Sequence, residues 1–456
     1  MTRLARAVSA PSSLVCRPAA QALRHVARAA ALSALFPLAA SAAYFQWETV
    51  TLPASTGASC GNGTPYRFFV NRTPFTTKTV VIFEGGGACW AQNACAGKGG
   101  GPLGISILSA SNPNGVSADY MTNVLNLLDG GMSGLALGGL ITPFSMRLHP
   151  LQSVQTQSWN IVYAPYCTGD VHTGNKVTVY SDADAANPRT QYHRGSVNGY
   201  AMAQWLGKNM KQPSNLLVTG FSAGGAGSTA NYGWLRLAMN PKKSALLADS
   251  GPLFNVNRTD SPAVSPSVLL HNKIRVVWGL DGPDGLVTKL LTMYPNAGTA
   301  ENLGSLSTGL AKIFPQDRFN FSTYQRDGIY SAFSYVTFYP EIAAAASGEP
   351  RDTLINQKWS IEVPKWVDAM KPYPNIGYYV PYQRDLLKSH TMTTLTFAGT
   401  SIKEAGIKDL NVVIDNLIDG SGTPIRAYET AKNPQNTKTP GWLDTLLQPL
   451  YALLGL

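Results

Sequence analysis

From about residue 65 onward, short apolar runs alternate with helix-length stretches along this chain. Thr79-Val80-Val81-Ile82-Phe83 is the clearest run and stops at a glycine cluster. Residues 66–70, 160–165, 216–219 and 244–248 read as further strands, and residues 197–210 as a helix. Strands separated by segments of helix length predict an α/β fold with a mostly parallel sheet. In such sheets ligands sit beyond the carboxyl ends of the strands. The chemically suggestive stretches lie just there: Gly85 to Gly87, Cys167 to Asp170, Ser222 and Asp249. Residues 97–150 break the pattern. They are rich in Gly, Ser, Asn and Leu without clear period, as lids and pocket walls often are. No internal repeat is present.

The two ends differ from the middle. Residues 1–42 carry Arg3, Arg6, Arg17, Arg24 and Arg28 with no acid, then an apolar run and Ala40-Ser41-Ala42. This is the pattern of a signal peptide with its cleavage site. The expected organisation is a leader (1–42), a catalytic domain (43–432), and a polar linker with an apolar C-terminal segment (433–456). The bland reading of that last segment is docking on the core, and contact with a membrane surface or with a partner is the alternative.

Composition agrees with export. Charged residues are only 14% of the 456, and Gly (43) and Pro (30) are abundant, which suits a loop-rich secreted or periplasmic protein. The net charge is +10, and five of those charges lie in the leader. No basic cluster remains, so nucleic-acid binding is not expected. Without Cys16 of the leader, Cys60, Cys89, Cys95 and Cys167 remain, enough for two disulfides in any of three pairings. No C-x-x-C and no histidine at ligand spacing suggest a metal.

Gly220-Phe221-Ser222-Ala223-Gly224 then changes the picture. It has the form G-x-S-x-G, between a strand and a small-residue stretch opening a helix. Such a turn lifts a serine Oγ out of the backbone. Glycines flank it because side chains would collide at so tight a turn. Gly86 and Gly87, after the strand ending at Phe83, and Ala223, after the serine, are candidate oxyanion donors. In this architecture the chain order is serine, acid, histidine. That order leaves His271 and His390, and excludes His149, His172 and His193. His271 follows Ser222 too closely for an acid-bearing strand to intervene, so His390 is the expected base. Asp249, Asp281, Asp284, Asp317 and Asp327 are the candidate acids.

Phe83 to Trp90, Pro165 to Gly174, Gly220 to Gly225 and Asp249-Ser250-Gly251 together resemble a bacterial-type member of the pectin acetylesterase family, which includes the Notum-type carboxylesterases. Cys60 to Tyr66 is similar to the segment that opens the family's domain. The resemblance covers roughly residues 45–410 and thins beyond Gly251. It implies an α/β-hydrolase fold and ester hydrolysis by a Ser-His-Asp triad without metal or cofactor. It implies Ser222 as nucleophile, His390 as base and Asp327 rather than Asp249 as acid. It also implies disulfides Cys89–Cys95 and Cys60–Cys167. Trp90, Asp170, His172 and Asp249 are pocket candidates. His172 stands where Notum-type proteins carry tryptophan, and segment 97–150 departs from the family. The expected partner is an ester, with an acetylated polysaccharide the finer expectation. A lipase-like or polyester hydrolase and a non-catalytic binding protein are the alternatives.

Overall fold

The computed structural model describes residues 44–98, 109–122, 142–149, 151–432 and 445. The expected leader, three pieces of the irregular stretch (99–108, 123–141 and 150), and the C-terminal linker and apolar segment, Thr445 apart, lie outside the described residues.

Among the described residues there are eleven strands: β1 Trp47–Thr51, β2 Arg67–Asn71, β3 Thr79–Phe83, β4 Asn160–Ala164, β5 Lys176–Tyr180, β6 Arg189–His193, β7 Asn215–Phe221, β8 Lys243–Asp249, β9 Arg318–Ser322, β10 Ile376–Val380 and β11 Arg426–Tyr428. Nine form one sheet in the order β1-β2-β4-β3-β7-β8-β9-β10-β11, while β5 and β6 pair separately. From β4 to β11 every neighbouring pair is parallel; β1 and β2 add antiparallel pairings at one edge. The chain is an α/β protein, as its alternating pattern implies. β3, β4 and β10 are buried at every residue. This explains why β3 and β4 read as apolar runs: a parallel strand covered on both faces has no solvent side to alternate with.

Helices cover the sheet. Gly195–Asn209 packs on Ala223–Met239, which lies along β7 and β8. Leu410–Asp419 packs on β8 and β9 with Leu410, Val413, Ile414, Leu417 and Ile418 buried, one apolar stripe at helical spacing. The Asp409 side chain caps its start and left-handed Gly420 ends it. The helix after Ser222 is buried almost all round and approaches the sheet very closely. A Cβ on Gly224 would lie 2.0 Å from the Phe83 carbonyl oxygen, so no side chain fits there.

This topology brings six loops to one end of the sheet, those after β3, β4, β7, β8, β9 and β10. They carry Gly86 and Gly87, Asp170 and His172, Ser222, Asp249 and Ser250, Asp327, and His390 respectively. Two disulfides brace this end, Cys60–Cys167 and Cys89–Cys95, the pairing that the resemblance implies.

The two bridges close loops of very different length, 107 and 6 residues in sequence separation. Chain entropy assigns them about 5 and about 2 kcal/mol respectively. Serine replacement of the Cys60–Cys167 pair therefore lowers the melting temperature more than replacement of the Cys89–Cys95 pair. Calorimetry of the two double variants checks the order.

Candidate active site

Ser222 sits between β7 and the helix Ala223–Met239 with φ 57° and ψ −125°, a conformation that L-residues seldom adopt. Its N–H donates to the Asp249 carbonyl at 2.9 Å. Ala223 opens the helix, where the first N–H groups have no intrahelical acceptor. Gly87 and Ala223 line the same cavity as Ser222. Gly86 lies just behind them at φ 142°, its carbonyl accepting from both the N–H and the hydroxyl of Ser111 at 2.9 Å.

His390 is buried, and its Nδ1 lies 2.8 and 3.0 Å from the two carboxylate oxygens of Asp327. Asp327 also accepts the N–H groups of Ile329 and Tyr330, at 3.0 and 2.8 Å, so its carboxylate is held from the backbone side. Among the described residues no hydrogen bond joins the Ser222 hydroxyl to His390. Their loops are nonetheless tied together through Asp249. Its carboxylate accepts from the Met392 N–H (2.7 Å), the Thr393 N–H (2.8 Å) and the Thr393 hydroxyl (2.8 Å). Ser250 adds a bond from the Thr391 N–H to its own hydroxyl at 3.1 Å. Thr142 reaches the same loop by donating to the Thr393 carbonyl at 2.7 Å.

Of the pocket candidates, Trp90 lines the cavity; Asp170, His172 and Asp249 do not. Each has satisfied partners behind the site instead. Asp249 clamps the His390 loop. Asp170 accepts from the Thr168 hydroxyl and the Gly174 and Gly195 N–H groups at 2.6, 3.1 and 2.9 Å, and burial pushes its carboxyl up to about 6. His172 places Nε2 2.8 Å from the Glu84 carbonyl and packs against Phe83 and Tyr166. A carbonyl only accepts, so Nε2 carries the proton, and burial lowers this ring to about 4. The other candidate acids are paired elsewhere: Asp281 with Arg258 and Arg275, Asp284 with Lys289, and Asp317 with Arg236.

The described part of the irregular stretch contributes nothing to the cavity lining. It props the glycine loop from behind. Besides Ser111, Tyr120 donates to the Glu84 carboxylate at 2.7 Å, and Asn112 donates to the Tyr166 carbonyl at 2.8 Å. Glu84 in turn accepts the Tyr166 N–H at 2.9 Å.

The cavity beside Ser222 is narrow, about 50 Å³, and mostly apolar. Its far wall comes from Leu253, Phe254, Leu270, Ile274, Trp278 and Phe333. These positions carry no chemical signature in sequence; only the helical spacing of Leu270 and Ile274 hints at a shared face. Cys89, Cys95 and His193 lie within ligand distance of one another. The sulfurs, however, are bonded together, and the His193 nitrogens face the Tyr180 hydroxyl (2.9 Å) and the Thr168 carbonyl (3.1 Å), so this cluster does not fit a metal. No helix among the described residues is long and apolar enough to cross a membrane.

Two predictions follow from these buried carboxylates. Burial pushes the Glu84 carboxyl up from 4.5 to about 7. Between those values the folded chain holds a proton that the unfolded chain has lost, so this group's contribution to stability declines as pH rises through that window. Glu84→Gln flattens the slope by up to about 1.4 kcal/mol per pH unit, measurable by urea unfolding at pH 5, 6 and 7. Asp249→Ala strands the Met392 and Thr393 N–H groups and costs about 3 kcal/mol or more. Hydrogen exchange should show residues 391–393 losing protection while the amides of β7 keep theirs.

The Pectinacetylesterase family model matches residues 151–269. Palmitoleoyl-protein carboxylesterase notum2 of Xenopus laevis is 22% identical over 179 residues, 39% of this chain and 30% of that protein. Palmitoleoyl-protein carboxylesterase NOTUM of Drosophila melanogaster is 23% identical over 235 residues, 50% of this chain and 30% of that protein. The chain thus spans under a third of the length of these curated relatives. The solved structure of the Wnt deacylase Notum from Drosophila shares the fold, with a TM-score of 0.54 at 15% identity over 86% of this chain and 99% of that one. In motif, in family-model match and in fold, the likeness of this chain is to the pectin acetylesterase family and its Notum-type relatives.

Proposed function

We propose that this chain is an exported serine carboxylesterase acting on short acyl esters, with Ser222 as nucleophile, His390 as base and Asp327 as the acid that orients it. The observation that carries the reading is the buried Asp327–His390 pair, tied through Asp249 to the strained turn at Ser222. With Nδ1–H given to Asp327, Nε2 keeps its lone pair and is the atom that removes the Ser222 proton. The freed oxygen attacks the ester carbonyl. The N–H groups of Gly86, Gly87 and Ala223 receive the oxyanion, and one such donor is worth roughly 3 kcal/mol in the transition state. The bond to the leaving alcohol breaks, and His390 returns the proton to that oxygen. Water, deprotonated by the same histidine, then releases the acid. The Ser222–His390 hydrogen bond forms as substrate binds, since such bonds are commonly long in a free enzyme.

Cavity size bears on the acyl group. About 50 Å³ is room for roughly four water molecules, which suits acetyl to butanoyl. An acetyl ester on a polysaccharide, as the family model's name suggests, fits that room. The apolar wall keeps the lipase-like alternative in view, because the Notum relatives are named for a palmitoleoyl group. Export is supported by the two disulfides, which persist in oxidising compartments.

A series of p-nitrophenyl esters from acetate to decanoate, with wild type and Ser222→Ala, tests the reading. The expected optimum is two to four carbons, and Ser222→Ala is slower by at least about a thousandfold. Wild-type rates in the alanine variant contradict the mechanism. An optimum at eight carbons or more favours the lipase-like reading.

A further inference from the structure

Three polar groups in the wall of the cavity are paired within the protein. The Ser267 hydroxyl donates to Glu362, the Trp278 indole N–H to the Cys89 carbonyl at 2.9 Å, and the Ser334 hydroxyl to the Tyr330 carbonyl at 2.9 Å. His271 has no such partner. It is 6% exposed, and its Nδ1 is buried without a hydrogen bond. Ser267, Leu270, His271 and Ile274 follow one another at helical spacing and all line the cavity, so the imidazole interrupts an otherwise apolar face of the helix Val268–Val277. Arg275, the nearby cation, is engaged by Asp281 at 2.6 Å. Burial, and then the charge of Arg275, lower the His271 ring to about 3. It is therefore neutral at ordinary pH, with one nitrogen a donor and the other an acceptor.

We infer that His271 sets acyl specificity in this cavity, and that the preferred acyl group is short and carries its own hydroxyl. The inference rests on the esterase reading above and deepens it. A buried imidazole nitrogen without a partner is unfavourable. A hydroxyl on the acyl chain supplies one. It suits either tautomer of His271, because a hydroxyl both donates and accepts, whereas a keto or ether oxygen only accepts. A charged acyl group is disfavoured, since no charged side chain lines the cavity.

The test compares p-nitrophenyl acetate with the glycolate, and butanoate with 3-hydroxybutanoate, each kcat/KM divided by that ester's own alkaline hydrolysis rate. In wild type at least one hydroxylated ester exceeds its parent by about fivefold, the usual worth of one neutral hydrogen bond. His271→Leu brings that ratio to one or below. His271→Gln, which keeps a donor and an acceptor, retains a ratio above that of the leucine variant and carries the test if leucine prevents folding. The inference is overturned if neither pair shows a preference in wild type, or if the preference survives His271→Leu. Failure of the esterase reading looks different: no ester, hydroxylated or plain, is then hydrolysed in a Ser222-dependent way.

Discussion

The carboxylate of Asp249 joins two loops that are more than 140 residues apart in sequence, and the geometry of the candidate site depends on it. Its backbone carbonyl holds the Ser222 N–H, and its side chain holds the Met392 and Thr393 N–H groups. Both attachments start from the last residue of β8, whose register against β7 and β9 is set by parallel pairing. Relative placement of serine and histidine is thereby referred to the sheet rather than to loop packing. This matters because a misplacement of about 1 Å can cost about a hundredfold in rate. A carboxylate suits the task. It accepts several hydrogen bonds at once, whereas an apolar residue of similar size would leave these N–H groups buried and unpaired.

The same end of the sheet collects unusual backbone. Val171, His172, Ser222, Ser250, Leu387, Lys388, Ser389, Thr391 and Leu395 all have positive φ without being glycine. Each such residue costs of order 1–3 kcal/mol and persists only where its surroundings over-determine it. The surroundings here are specific. Asn231 donates to the His172 carbonyl at 2.9 Å, Ser250 N–H donates to the Ser322 carbonyl at 2.7 Å, and the Ser389 hydroxyl donates to the Arg384 carbonyl at 2.6 Å. Arg384 is itself held by the fully buried Glu429 at 2.8 Å. Strain at this end of the sheet is thus balanced by a second layer of buried polar contacts. That balance explains why so many polar residues around the site are inaccessible to substrate.

Legibility in the sequence follows the range of the physics. β3 and the helix Gly195–Asn209 are visible because burial imposes a local period or an unbroken apolar run. The turn at Ser222 is visible because close approach of Phe83 excludes a side chain at Gly224. β1, β9, β10 and β11 escape that reading. β10, Ile-Gly-Tyr-Tyr-Val, carries a glycine and two tyrosines in place of a plain aliphatic run, and β11 is only three residues long. The roles of His172 and Glu84 were hidden for another reason. A histidine after a strand looks the same whether it faces substrate or braces a carbonyl, and only the distance of 2.8 Å to Glu84 separates the two. Residues 109–122 are similar: without period they suggest a wall, and in the fold they prop the glycine loop.

Four buried carboxylates lie in the loops after β3, β4, β8 and β9 or at the ends of those strands, Glu84, Asp170, Asp249 and Asp327, and burial alone does not sort them. What sorts them is the group each one accepts from. Glu84, Asp170 and Asp249 accept from backbone N–H groups and hydroxyls, which have no proton to exchange at ordinary pH, so these carboxylates can only hold loops in place. Asp327 alone of the four accepts from an imidazole. In the proposed mechanism a proton taken up on the far nitrogen of His390 is stabilised by this carboxylate, which lies within hydrogen-bond distance of Nδ1. The N–H groups of Ile329 and Tyr330 hold one of its oxygens from behind. The anion is therefore oriented before that charge appears, and little reorganisation remains when it does. That asymmetry in partners, rather than any difference in depth, is why the proposed mechanism gives the acid's role to Asp327 and treats the other three carboxylates as structural anchors.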